Sequence, residues 1–114
     1  MGWEIAPLDY EISPEALKEL LAGSSDIVVL DIREPWEIET SALAGTLNIP
    51  MNDIPARIRE ELDPQQRIVV ICHHGVRSWN VTTWLRQRGF DKVQSLAGGI
   101  DRWARQIDPK VPLY

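Results

Sequence analysis

The sequence predicts an α/β domain, a mostly parallel central sheet with helices on both faces. Three observations predict it. Short β-branched apolar runs, residues 26–32 and 67–71 foremost, alternate with segments of helical periodicity along the whole chain. These runs are continuously apolar rather than alternating, as strands covered on both faces are. The segments that join them are helical, the connection that parallel strands require.

Each element has its own reason. Ser13-Pro14-Glu15 opens the first helix as cap, first-turn proline and first-turn acid. Leu17, Leu20 and Leu21 form its apolar stripe, and Gly23 ends it. Residues 26–32 form a buried strand, and Pro35 starts a short helical turn carrying Trp36 and Glu37. Thr46-Leu47-Asn48-Ile49-Pro50 is a brief strand that proline terminates. Ile54, Ile58 and Leu62 recur every fourth residue, which marks a helix facing a core. Asp63-Pro64 turns the chain into the strand at 67–71, and a helix follows from Ser78, its cap, to Gly89, its stop. Lys92-Val93-Gln94-Ser95-Leu96 is the next strand. Ile100, Trp103, Ala104 and Ile107 define a last amphipathic helix. Pro109 and Pro112 hold the tail, residues 108–114, open. No linker or repeat divides the sequence, so residues 1–114 read as a single domain with its core at about 12–103.

Composition removes several functions. The net charge of −5, from 17 acidic against 12 basic residues, argues against a nucleic-acid surface, which needs a clustered basic stripe. No apolar run approaches the ~18 residues of a membrane span. A single cysteine forms no internal disulfide, and the first seven residues show no secretory leader, so the expected location is the cytoplasm. Five tryptophans suit a small core, with Trp84 and Trp103 as anchors at helical spacing.

The chemistry concentrates at Cys72, which opens the run Cys72-His73-His74-Gly75-Val76-Arg77-Ser78. The thiol sits where a buried strand turns into a helix, just beyond a strand's carboxyl end, where ligands bind in parallel α/β sheets. Backbone amides and a positive helix end face whatever occupies such a loop, and they favour a thiolate. Gly75 can adopt the positive φ that turns successive N–H groups inward. Arg77 carries a guanidinium fork suited to an oxyanion. A lone cysteine after a buried strand is more commonly an inert core residue. The glycine loop, Arg77 and the capped helix together argue for a nucleophile. The site therefore comprises Cys72 as nucleophile and His73, His74, Gly75, Val76, Arg77 and Ser78 as the substrate-binding loop. Asp31 and Arg33, at the end of a strand, form a supporting ion pair or hydrogen-bond brace. Cys72, His73 and His74 are adjacent in sequence and do not converge on one metal with normal ligand angles, so no metal is expected. The two histidines read as exposed loop filling or as groups that tune the pocket mouth. Trp79, in the first turn after the loop, stands near enough to be a substrate contact.

Four landmarks now carry a resemblance: Asp31-Ile32-Arg33-Glu34-Pro35-Trp36-Glu37, Ala44-Gly45-Thr46-Leu47-Asn48-Ile49-Pro50, the loop from Cys72 to Ser78, and Leu96-Ala97-Gly98-Gly99-Ile100-Asp101-Arg102-Trp103. In that order and spacing they resemble a single-domain rhodanese, a sulfurtransferase. The resemblance implies the rhodanese-like three-layer fold and a Cys72 persulfide, loaded from a donor such as thiosulfate and discharged to cyanide or a thiol. It implies no cofactor beyond that covalent intermediate, and two-step kinetics of the ping-pong kind. The stretch Ser41-Ala42-Leu43-Ala44-Gly45-Thr46 departs from the family, lacking a histidine and a proline that many members carry there.

Rival readings come from the same resemblance. Cdc25-type phosphatases and arsenate reductases share the fold and place five residues between cysteine and arginine. Here there are four, His73 to Val76, a smaller cradle that fits a sulfane sulfur better than a tetrahedral phosphate. Non-catalytic interaction modules often lose the cysteine, which this chain keeps. The C-terminal segment from Trp103 through Pro112-Leu113-Tyr114 resembles rhodanese domains fused to activating enzymes of ubiquitin-like proteins. That implies a sulfur-carrier protein, or a thioredoxin-like protein, as partner, and no nucleic acid or membrane.

Overall fold

The computed structural model describes residues 8–24 and 26–114, so the expectation about a leader in the first seven residues lies outside the described part. The apolar runs pair as strands: β1 (Glu11–Ile12), β2 (Ile27–Asp31), β3 (Leu47–Asn48), β4 (Arg67–Ile71) and β5 (Val93–Leu96). They form one sheet in the order β1-β5-β4-β2-β3, and every pairing is parallel. Between them lie α1 (Pro14–Gly23), α2 (Pro35–Thr40), α3 (Ile54–Glu61), α4 (Val76–Arg86) and α5 (Gly99–Gln106).

The period-2 geometry of β4 explains the layering. Ile68, Val70 and Cys72 pack on one face of the sheet with Ile54 and Ile58 of α3 and Val81 and Leu85 of α4. Val69 and Ile71 pack on the other with Leu17 of α1 and Ile100, Trp103 and Ala104 of α5. All four β4 residues from Ile68 to Ile71 are fully buried, as a strand covered on both faces must be. Among the described residues no helix is long and apolar enough to cross a membrane.

Chain order places the site. From β2 the chain moves outward to β3, then crosses back to β4 and on to β5 in the opposite direction. The carboxyl ends of β2 and β4, adjacent at Asp31 and Ile71, are therefore the point where the winding reverses, the crevice where such sheets bind ligands. Asp31 and Arg33 lie at the end of β2, and Cys72 follows β4.

Four local details differ from the sequence expectations. β1 was not expected; with two residues it is too short to show periodicity, and it exists because it pairs with Ser95 and Leu96 of β5. A single 3₁₀ turn, Met51–Asp53, precedes α3. Helix α4 begins at Val76 rather than at Ser78, with Gly75 as its cap at φ +102°. Leu21, assigned to the buried stripe of α1, is 38% exposed, whereas Leu17 is fully buried.

Two consecutive left-handed glycines, Gly98 at φ +74° and Gly99 at φ +63°, turn β5 into α5. A methyl group on Gly99 would strike the carbonyl of His73 and come within 2.6 Å of the carbonyl oxygen of Cys72. Gly99→Ala therefore combines overpacking against backbone with a left-handed penalty. It should lower unfolding stability by about 2–5 kcal/mol, read from urea denaturation. A loss below about 1 kcal/mol would mean that the α5 terminus does not press on the loop.

Candidate active site around Cys72

The loop after β4 folds its backbone around sulfur. Cys72 is 1% exposed, and its Sγ accepts hydrogen bonds from the amides of Gly75 at 3.1 Å and Ser78 at 3.3 Å. The thiol in turn donates to Ser78 Oγ at 3.3 Å. Ser78, buried inside the first turn of α4, donates to the Gly75 carbonyl at 3.2 Å and lies 2.7 Å from Ser95 Oγ of β5. The amides of Val76 and Arg77 belong to the same first turn, where no acceptor exists within the helix. Sulfur thus faces converging N–H donors and the positive end of an 11-residue helix.

The loop holds this shape because α5 grips its outer side. The amide of Ile100 donates to the Cys72 carbonyl at 2.9 Å, and the amide of Asp101 to the His73 carbonyl at 3.1 Å. Those bonds tie the outer side of the loop to α5, and the Gly75 and Ser78 amides reach sulfur from its inner side. Gly75 allows the turn by its left-handed backbone, and a Cβ there would meet the Gly98 nitrogen at 3.2 Å.

Charged groups surround the pocket as pairs. Arg33 is fully buried and forms an ion pair with Asp31, its Nη2 donating to Oδ2 at 2.7 Å and its Nε to Oδ1 at 3.0 Å. The rest of its guanidinium donates to the carbonyls of Glu37 and Ser41 and to the Tyr114 hydroxyl at 2.9 Å. Arg77 reaches across to Glu37 and binds it through two parallel bonds of 2.8 Å, Nη1 to Oε1 and Nη2 to Oε2. The Tyr114 hydroxyl also donates to Glu37 Oε2 at 2.7 Å, and the Glu34 amide to Oε1 at 3.1 Å. Arg77 first, with Tyr114 and the Glu34 amide assisting against burial, holds the Glu37 carboxyl down at about 2. The same partner raises Arg77 above its usual range, against the cost of burial.

The remaining loop residues divide by exposure. His73 stacks between the rings of His74 and Tyr114, with centroids 3.8 Å away on each side. Burial, then the neighbouring His74, lowers the His73 imidazole below its ordinary value. The side chains of His74 and Val76 are exposed at the mouth. Trp79 is turned to Tyr10, 5.3 Å away between centroids. Trp84 is half-buried against the core, and Trp103 is buried in the opposite layer.

Two features escaped sequence reasoning. Glu37 and Tyr114 lie 40 and 37 positions from the loop arginine they serve, directly or through each other. The usable signal was Glu37 itself, an acid one turn after a buried strand end that already carries Arg33. The structure also brings Asp101 beside His73 and His74, their ligand atoms all within 4.8 Å. The two imidazoles are stacked at 29°, and Asp101 is engaged by Arg105 at 3.0 Å.

Comparison with known proteins agrees with this geometry. A family model described as the rhodanese-like domain matches residues 13–106. The chain is 38% identical to a sulfurtransferase of Allochromatium vinosum, over 89% of this chain and 94% of that protein. It is 35% identical to the thiosulfate sulfurtransferase GlpE of Actinobacillus pleuropneumoniae, over 91% and 94%. A rhodanese-related protein of Thermoplasma volcanium superposes with a TM-score of 0.79 at 30% identity, covering 93% of this chain and all of the other.

The Glu37–Arg77 pair generates a pH prediction. A carboxyl held at about 2 in the fold, against an ordinary 4.5, contributes stability in full above 4.5 and loses it as pH falls towards 2. Glu37→Gln should be less stable than the parent at pH 7 and show a flatter acid limb between those two values in pH-dependent thermal unfolding. Identical acid limbs would mean that the pair does not form in solution.

Proposed function

The chain belongs to the rhodanese-like domain family of sulfurtransferases, and on that premise we propose that it moves sulfane sulfur through a persulfide on Cys72. The observation that carries the reading is the sulfur cradle: one buried Sγ under the amides of Gly75 and Ser78 at the start of α4. In the loading step the Cys72 thiolate attacks the outer sulfur of a donor such as thiosulfate. The donor S–S bond breaks, and sulfite leaves with the electron pair. Amides and the helix end stabilise the anionic persulfide as they stabilise the thiolate. In the second step cyanide or a thiol takes the outer sulfur and Cys72 returns as thiolate. Sulfur rests on the cysteine alone, so the cycle needs no cofactor. A resting thiol of this kind suits the reducing cytoplasm.

The likeness to GlpE supports thiosulfate as an assay donor. Other relatives, among them a putative sulfur carrier protein of Bacillus subtilis, support a carrier protein as acceptor partner. Phosphatase chemistry is disfavoured by the arginine: a cradle for tetrahedral phosphate needs an open fork, and both terminal nitrogens of Arg77 are given to Glu37.

Incubation with thiosulfate should add the mass of one sulfur atom to the protein, and Cys72→Ser should not take it up. The serine variant should also release thiocyanate from thiosulfate and cyanide at least about a thousandfold more slowly, because serine is not appreciably ionised. Comparable turnover by both proteins would overturn the assignment of the nucleophile.

A further inference from the structure

We infer that Glu37 sets the charge of the donor that this pocket accepts: by filling the Arg77 fork it cancels the loop's guanidinium charge, and it turns the site from dianionic thiosulfate towards persulfides, which carry at most one negative charge at the reacting sulfur and react in the protonated form RS–SH. The inference rests on the sulfur-transfer reading above and names the donor class for that site.

Three acid–arginine pairs stand on the elements that meet the Cys72 loop: Asp31 with Arg33, Glu37 with Arg77, and Asp101 with Arg105. Each acid is matched by one arginine, so these pairs sum to no net charge. Arg33 cannot serve an incoming anion, because it is fully buried and its guanidinium nitrogens all donate to acceptors of the protein. Arg77 is the guanidinium at the mouth, its side chain 33% exposed, and Glu37 holds both of its terminal nitrogens.

Glu37 is not poised to swing away. Its side chain is 5% exposed and accepts four hydrogen bonds, two from Arg77, one from the Tyr114 hydroxyl and one from the Glu34 amide. Tyr114 is fixed in turn by Arg33 and by stacking on His73. A donor oxyanion would have to compete with a bound carboxylate that carries the same charge.

The two loading reactions differ in the charge they bring together. With thiosulfate, a thiolate meets a dianion: the Cys72 sulfur bonds to the outer sulfur, the S–S bond breaks, and SO₃²⁻ departs with the pair. With a persulfide, Cys72–S⁻ and RS–SH give Cys72–S–SH and RS⁻, the proton passes to the departing thiolate to leave Cys72–S–S⁻ and RSH, and one negative charge is carried throughout. Backbone amides suffice for the second reaction. The first needs an uncommitted cation, which the Glu37 clamp withholds.

The test is single-turnover loading of Cys72, followed by intact mass, with thiosulfate and with cysteine persulfide as donors. Parent, Glu37→Gln and Glu37→Asp are compared. The parent should load faster from cysteine persulfide. Glu37→Gln should raise the thiosulfate rate relative to the persulfide rate by on the order of tenfold, the scale on which local charge alters encounter with an ion. Glu37→Asp, which keeps the charge and changes the reach, should keep the parent's ratio. In the parent, thiosulfate loading should not slow as salt is raised, whereas an open cation would make it fall steeply. An unchanged ratio in Glu37→Gln, the same shift in Glu37→Asp, or a steep salt-induced fall in the parent would each overturn the inference. If Glu37→Gln fails to fold, the aspartate variant and the salt series decide. Failure of the sulfur-transfer reading looks different: neither donor would add sulfur to the parent, and both conclusions would fall together.

Discussion

Two hydrogen bonds, from the amides of Ile100 and Asp101 to the carbonyls of Cys72 and His73, are the constraint on which the site depends. A peptide unit points its C=O and N–H in opposite directions. Drawing two consecutive carbonyls towards α5 therefore turns the His73 and His74 amides away from α5 and fixes the loop from which the Gly75 and Ser78 amides reach sulfur. Gly99 permits the close approach and Gly75 the left-handed step, so the sulfur cradle is shared between the start of α4 and the start of α5. The parallel sheet places both helix ends at one edge, because β4 and β5 are neighbours and each helix follows its own strand. Nucleophile geometry is in this sense a property of the sheet order.

The electrostatics follow a second logic. A protein of net charge −5 could have built a strongly negative cleft, yet Asp31, Glu37 and Asp101, on the elements that meet the loop, are each engaged by an arginine. A buried pair such as Asp31 with Arg33 adds little net stability but is costly to break, since removing one partner strands the other charge. Such pairs hold shape instead. Asp31 and Arg33 fix the end of β2, Arg33 fixes Tyr114, and Tyr114 with Arg77 fixes Glu37. What remains for binding an anion is the set of backbone amides, whose partial charges cannot be titrated away.

The legible parts of the sequence were those governed by local rules. β2 and β4 could be read because unbroken β-branched runs have few other fates, and α1 because cap, proline and acid coincide at Ser13, Pro14 and Glu15. Cys72 stood out because a strand end, a glycine and a helix start meet there. β1 stayed hidden because two residues have no period; only pairing with β5 makes them a strand. The start of α4 was placed two residues late because Ser78 has the composition of a cap, while the actual cap, Gly75, acts through backbone conformation alone. Arg77 was recognised as a loop residue, but its partner was not. Nothing local distinguishes a guanidinium that faces substrate from one already held by a carboxylate 40 positions upstream.

The tail shows why such pairings escape local rules and still matter. The tail, expected to be held open by its prolines, instead turns at Pro109–Lys110, where the Val111 amide donates to the Asp108 carbonyl at 3.1 Å, and Val111 is buried on the α1–α5 face. Tyr114 thereby lies against α2 and the Cys72 loop. Its ring lies parallel to His73 at 5°, and its hydroxyl bridges Arg33 and Glu37. Shape and charge are coupled at this one side chain: whatever displaces Tyr114 removes one of the four bonds accepted by Glu37 and the ring stacked on His73. The Cys72 loop is short, with four residues between cysteine and arginine, and its outer surface is completed by α5, α2 and the tail rather than by the loop itself.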